Sequence, residues 1–238
     1  MQTIVRSQVS ELEAVFWDLD GTLVDTERHW TAVQTELVAS FGGTWTEAQA
    51  LSIMGRSQAD SVKVLQRAGV RLPAEEIARQ VTAGVRDRVS ESVHWRPGAA
   101  ELLAGLRAHG VPCVLVTMSH RHIVDGILRH FPAGSFEFAV TGDMVSAGKP
   151  HPEAYETAFR HLARGRPGLS GRRVLAIEDS PPGTRAALAA GLPTLGVPHL
   201  APLAAAEGLT VWPTLEGRGV RDLHALIDAA GREPAGSA

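Results

Sequence analysis

The chain has 238 residues, with 23 Lys and Arg against 26 Asp and Glu, a formal charge of −3. Only two of the basic residues are lysines, Lys63 and Lys149, and the arginines are scattered, which excludes the basic field of a non-specific nucleic-acid binder. A hydrophobic share of 44% against 21% charged residues excludes a disordered chain, and the lone Cys113 excludes an intramolecular disulfide and any cysteine-built zinc site.

In chain order, residues 1–10 lack the apolar core of a signal peptide, and no apolar run approaches the roughly 18–20 residues of a membrane span. A cytoplasmic protein of one to two domains, with no membrane partner, is expected. Residues 14–20 (AVFWDLD) read as a buried strand that runs into a functional turn, Asp-Leu-Asp-Gly-Thr. From about Leu23 to Glu91 no convincing strand follows. Trp30, Val33, Leu37, Val38 and Phe41 keep helical spacing, as do Ile77, Val81, Val85 and Val89 at four-residue steps. Beyond them, short apolar runs recur at 112–117 (PCVLVT), 136–140 and 173–177 (RVLAI), and more weakly at 193–197 and 209–212. Helical patterns separate these runs, and Ser180 before Pro181 and Pro182 is a good helix start. Strands alternating with helices predict an α/β fold, a Rossmann-like parallel sheet covered on both faces. The expected domains are a core of residues 1–22 and 92–238 and an inserted all-helical domain of residues 23–91.

Asp18 and Asp20 are two apart, so on a strand both side chains leave one face, and they stand where the strand ends. In open parallel sheets that end is where ligands bind. Glu178 and Asp179 close the RVLAI run in the same way. If the two strands are neighbours, up to four carboxylates meet at one sheet edge. Like charges about 4 Å apart repel by roughly 4 kcal/mol at an effective dielectric near 20, so such a cluster needs cations. An oxygen-only set points to Mg²⁺ rather than Zn²⁺. The PCVLVT run ends in Thr117-Met118-Ser119, a hydroxyl and free backbone N–H groups at a helix start, which suits a phosphate. Lys149, in Gly148-Lys149-Pro150, supplies one flexible point charge. Cys113, inside an apolar strand, is expected to be inert core, and Trp17 to pack under a helix. The stretch from Arg160 to Arg173 holds five arginines in an exposed connection, with no nucleic-acid partner expected.

FWDLDGTLVDTE, VTMS, GKPHPEAY and IEDSPPGTRAALAAG resemble, in order and spacing over about Val15 to Gly191, the four motifs of the haloacid dehalogenase superfamily, and the helical insert resembles its C1-type cap. The resemblance is to its phosphoglycolate phosphatase-like and β-phosphoglucomutase-like members. It implies that Asp18 is the nucleophile that takes up a phosphoryl group. Asp20 would then be the general acid and base and a metal ligand through its backbone carbonyl. Thr117, the backbone of Met118 and Lys149 would hold phosphoryl oxygens. Asp179 would ligate Mg²⁺, and Glu178 would do so directly or through water. Met118 departs from the small or polar residue usual at its position.

An acid two residues after the nucleophile favours phosphate chemistry over dehalogenation. Mutase-like members tend to carry a His ten residues beyond the general acid; here that position is Trp30, with His29 beside it on a different helix face, so hydrolysis is favoured over phosphotransfer. A non-catalytic phosphate sensor is disfavoured by the intact acidic set. Gly55-Arg56-Ser57 resembles the specificity loop of capped relatives, which makes Arg56 a candidate substrate contact, and Arg121 is a second candidate to face the cap. The expected activity is Mg²⁺-dependent hydrolysis of small phosphomonoesters such as sugar phosphates or phosphoglycolate. The sequence leaves monomer and homodimer equally open.

Overall fold

The computed structural model describes residues 12–53 and 58–230. Six strands form one sheet: β1 (Ala14–Trp17), β2 (Cys113–Val116), β3 (Ala139–Val140), β4 (Val174–Glu178), β5 (Thr194–Gly196) and β6 (Leu209–Val211). They lie in the order β3-β2-β1-β4-β5-β6, every pair parallel, with Phe16 between Val114 and Ala176 in the register. Burial on both faces explains why β1, β2 and β4 are almost wholly apolar instead of alternating. On one face Val15, Trp17, Leu115, Leu175 and Ile177 pack in a single core with α5 (Ala99–Ala108), α6 (Arg121–Leu128) and α9 (Val220–Ala230). On the other, Phe16, Val114, Val116 and Ala176 pack against α7 (Glu153–Arg164), through Tyr155, Ala158 and Leu162, and against α8 (Pro181–Ala189). Trp17 is fully buried on the first of these faces, as its alternation with Asp18 predicts.

Between β1 and α5 the described residues form four helices, α1 (Glu27–Ser40), α2 (Glu47–Ile53), α3 (Gln58–Arg67) and α4 (Ala74–Glu91). The four-residue ladder Ile77, Val81, Val85 and Val89 is the buried stripe of α4, which packs against α1, α3 and α6. The two chain segments that lead into and out of this helical bundle run side by side: Val24 bridges Trp95 antiparallel, Asp25 N–H donates to the His94 carbonyl at 2.8 Å, and Arg96 N–H to that of Leu23 at 2.8 Å. Among the described residues no helix is long and apolar enough to cross a membrane.

Two expectations need adjusting. The strand drawn from residues 136–140 is regularly paired only over Ala139–Val140, although Glu137 and Phe138 still exchange backbone bonds with β2. The first strand stops at Trp17, so Asp18 and Asp20 do not share a pleated face. The Asp18 N–H still reaches the Ile177 carbonyl at 3.0 Å, but the chain then coils, with Leu23 and Val24 N–H both donating to the Leu19 carbonyl. A tight turn therefore aims Asp20.

Candidate active site

Strand order reverses at β1, whose neighbours β2 and β4 are reached by connections on opposite sides, and the crevice beyond the carboxyl ends of β1 and β4 is where such a sheet binds ligands. Asp18 follows β1; Glu178 ends β4 and Asp179 follows it. Because Trp17 and Ile177 are register partners, the acidic groups just beyond them are forced together. One carboxylate oxygen from each of Asp18, Glu178 and Asp179 lies within 4.8 Å of the others, and all three residues are buried. Gly21 is required here: its φ is +92°, and a Cβ would fall on the Asp179 carboxylate.

Lys149 reaches this cluster from the loop before α7. Its Nζ donates to Asp18 Oδ1 at 2.7 Å, to Glu178 Oε1 at 2.6 Å and to the Val116 carbonyl at 2.9 Å, with the side chain only 5% exposed. One cation against three carboxylates leaves the group short of positive charge. Burial pushes the Asp18 carboxyl up to about 7 against the pull of Lys149, with Glu178 and Asp20 adding to the rise. Burial, with Asp18 and Glu178, lifts Asp179 to about 9. Burial acts to lower the Lys149 ammonium, yet Asp18 and Glu178 outweigh it and hold it above its ordinary range. An all-oxygen cluster of three buried carboxylates beside a single ammonium fits a hard divalent ion such as Mg²⁺.

Asp20 stands beside the cluster in a collar of hydroxyls. Thr26 Oγ1 donates to its Oδ1 at 2.6 Å; Thr117 Oγ1 and Ser119 Oγ donate to its Oδ2 at 3.0 and 2.8 Å. The Thr117 hydroxyl also accepts from the Ser119 N–H at 3.0 Å. Thr117 thus stands where expected, at the end of β2, but gives its proton to Asp20. Met118 packs its partly buried side chain against the core, and its sulfur accepts from the Lys149 N–H at 3.3 Å, which ties the second and third motif loops together.

The structure brings together Asp18, Asp20, Thr117, Met118, Lys149, Glu178 and Asp179. Arg121 has a local partner: its Nε donates to Asp125 at 2.8 Å along the exposed face of α6, where the i,i+4 spacing favours such a pair. Arg56 lies outside the described residues. His29 is buried, stacked on His94 with ring centroids 6.1 Å apart, and burial, then His94, holds its imidazole below the ordinary range. Cys113 is buried, and burial pushes its thiol up to about 12, an inert group as expected. The arginines between Arg160 and Arg173 are partly engaged by acids, Arg160 by Glu156, Arg166 by Glu137 and Arg173 by Glu13.

Sequence reasoning missed Thr26 and Tyr155, and read Ser119 only as part of a phosphate-binding turn, not as a donor to Asp20. Tyr155, fully buried on α7, donates its hydroxyl to Glu178 Oε1 at 2.8 Å, and its ring centroid is 5.0 Å from Lys149 Nζ. Six residues past Lys149, it reads in sequence as a core aromatic. Ser180, recognised as a helix cap and accepting from the Gly183 N–H at 3.1 Å, also donates to Glu178 Oε2 at 3.2 Å. A Cβ on Gly183 would fall on the Glu178 carboxylate, so this glycine makes room for it.

Next to Thr26 a cleft of about 600 Å³ opens between α1, α2 and the loop after β5, lined by Asp25, Glu27, Thr31, Thr35, Thr46 and His199 among others. Burial, with Asp20 and Asp25, raises the Glu27 carboxyl to about 7.

The family model of haloacid dehalogenase-like hydrolases matches residues 15–197. The chain is 30% identical to (DL)-glycerol-3-phosphatase 1 of Arabidopsis thaliana over 203 residues, 82% of this chain and 67% of the relative. It is 29% identical to a phosphorylated carbohydrates phosphatase of Thermotoga maritima, over 79% of this chain and 86% of that one. The crystal structure of CbbY from Rhodobacter sphaeroides in complex with phosphate superposes with a TM-score of 0.75 at 27% identity, covering 89% of this chain and 99% of CbbY. With its motifs gathered at one sheet edge, the chain belongs to the haloacid dehalogenase-like hydrolases, as an enzyme of their phosphatase branch.

Proposed function

We propose that the chain is a Mg²⁺-dependent phosphatase of small organic phosphomonoesters, of the sugar phosphate or phosphoglycolate kind, working through a phosphoryl group carried on Asp18. The observation that carries this reading is Lys149 Nζ, which ties Asp18 Oδ1 to Glu178 Oε1 across the β1/β4 crevice and so fixes one carboxylate oxygen while leaving its twin to react. An Asp18 oxygen bonds to phosphorus as the bond from phosphorus to the leaving oxygen breaks, and Asp20 gives that oxygen a proton. Asp20 then takes a proton from the water that attacks phospho-Asp18, and inorganic phosphate leaves with Asp18 restored. The hydroxyls of Thr26, Thr117 and Ser119 hold Asp20 in one orientation through both transfers. Asp18, Asp179 and the Asp20 carbonyl would hold Mg²⁺, supported by Glu178; when bound, the ion supplies the positive charge that keeps Asp18 ionised and offsets charge on the phosphoryl group.

In this reading residues 23–91 form a lid over a core of residues 1–22 and 92–238, and the cleft between α1, α2 and the loop after β5, mainly apolar with hydroxyls and carboxylates among its lining, takes the leaving group. Hydrolysis is favoured over mutase chemistry because His29 packs against His94, and Trp30 takes the position where mutase-like members carry a His. The test is release of inorganic phosphate from glycerol phosphate, hexose phosphates and phosphoglycolate with and without Mg²⁺. Release should need Mg²⁺ and fall at least about a thousandfold in Asp18→Asn. Near-normal turnover in that variant, or conversion of a hexose 1-phosphate and its bisphosphate to the 6-phosphate without net phosphate release, would overturn the reading.

A further inference from the structure

Lys149 has three ammonium protons, and all three are spoken for: Asp18 Oδ1 at 2.7 Å, Glu178 Oε1 at 2.6 Å and the Val116 carbonyl at 2.9 Å. To meet a phosphoryl oxygen, Lys149 must release one of these acceptors. A buried acceptor that loses its donor is costly, and a carboxylate costs the most. The three acceptors differ in what they keep. Glu178 Oε1 has a second side-chain donor, the Tyr155 hydroxyl at 2.8 Å, and Glu178 Oε2 has Ser180 Oγ at 3.2 Å. If the Lys149 proton swings away, Glu178 remains hydrogen-bonded through both oxygens.

We propose that Tyr155 is a positioning residue: it keeps Glu178 bonded while Lys149 passes one N–H from Glu178 Oε1 to a phosphoryl oxygen, a handover that no other donor on that oxygen supports among the described residues. The placement suits the task. Tyr155 lies on the buried stripe of α7 with Ala154, Ala158 and Leu162, so its ring is fixed by packing. Lys149 Nζ sits 5.0 Å from the ring centroid, close enough for the ring face to favour the ammonium as it turns. The close fit of Gly183 to the same carboxylate keeps Glu178 from following the lysine. Removing the hydroxyl alone leaves Glu178 Oε1 dependent on Lys149, which holds the lysine back from the incoming anion.

The inference rests on Lys149 binding a phosphoryl oxygen, and inorganic phosphate is a probe that separates the two claims. Its dissociation constant is measured by calorimetry at saturating Mg²⁺ in the native protein, Tyr155→Phe, Glu178→Gln and the double variant, alongside thermal midpoints and KM and kcat for p-nitrophenyl phosphate. Tyr155→Phe keeps the ring and its packing. It should weaken phosphate about ten- to a hundredfold, the loss expected of one hydrogen bond to a charged group, with kcat/KM falling in step. In the Glu178→Gln background the same change should cost under about twofold, because a neutral amide left short of a donor is far cheaper than a carboxylate. Unchanged phosphate affinity in Tyr155→Phe, or equal losses in both backgrounds, would show that the hydroxyl only packs and would overturn the inference. A native protein that neither binds phosphate nor turns over ester would instead overturn the phosphatase reading.

Discussion

The two lysines of this chain stand in opposite regions. On the helical bundle, Lys63 pairs with Asp60 at 3.0 Å across one turn of α3, with 64% of its side chain in water. At the sheet edge, Lys149 pairs with Asp18 and Glu178 at 2.7 and 2.6 Å and is 5% exposed. The distances barely differ; the surroundings do. In water, solvent and the entropy of two long side chains cancel most of a pair's attraction, so it contributes about 0–1 kcal/mol. Away from water, removing one partner strands the others, at about 3–5 kcal/mol. The bundle surface repeats the first pattern, with Arg79 on Glu76 and Arg88 on Glu36. The sheet edge concentrates the second, with two carboxylates on one buried ammonium and a third, Asp179, beside them. Ion pairs on the bundle are replaceable, while those at the sheet edge define the chemistry.

The contrast can be broken first by deletion. Lys149→Met should cost about 3–5 kcal/mol by urea unfolding of the metal-free protein, and Lys63→Met under about 0.5 kcal/mol. Equal costs would remove the distinction. It can be sharpened by pH. Asp18 and Asp179 have folded values raised to about 7 and about 9, so the folded state holds protons that the unfolded chain has released. Their contribution is complete below the unfolded value near 4 and is lost as pH rises through 7 to 9. Without metal, the thermal midpoint should therefore fall between pH 5.5 and 8.5, with a shallower fall in Asp179→Asn. Mg²⁺ at a hundred times its dissociation constant should restore about 2.7 kcal/mol at pH 8.5, a rise of roughly 5–11 °C for a chain this size. A metal-free midpoint that climbs with pH by the same amount in both proteins would contradict the shifts. The smallest effect belongs to Arg121→Ala: with its guanidinium on Asp125, turnover should stay within about twofold and stability within about 0.5 kcal/mol.

Much of this arrangement was legible in sequence because it rests on strand ends. Apolar runs closing in Asp18, Thr117 and Glu178-Asp179 identify parallel strands and their ligand-binding edge together, and Lys149 stands out in a chain that otherwise uses arginine. What escaped depends on side chains converging through turns and helices. The direction of Asp20 is set by the turn at Gly21 and by hydroxyls from Thr26, Thr117 and Ser119, three residues on two separate segments. Tyr155 has the spacing of a core residue, and only folding α7 against β2 and β3 places its hydroxyl on Glu178 at the end of β4. Arg121, singled out for its nearness to a motif, has a partner that helix spacing supplies, Asp125 four residues on.

The central claim, that the carboxylate held by Lys149 accepts the phosphoryl group, is tested most directly by trapping it. Enzyme turning over a phosphomonoester is quenched in acid within its steady state, digested and analysed by mass spectrometry, with Asp20→Asn used to slow the second step. The account predicts phosphate on the peptide carrying Asp18, absent in Asp18→Asn. Steady turnover with Asp18 unmodified, or phosphate on another residue, would contradict it.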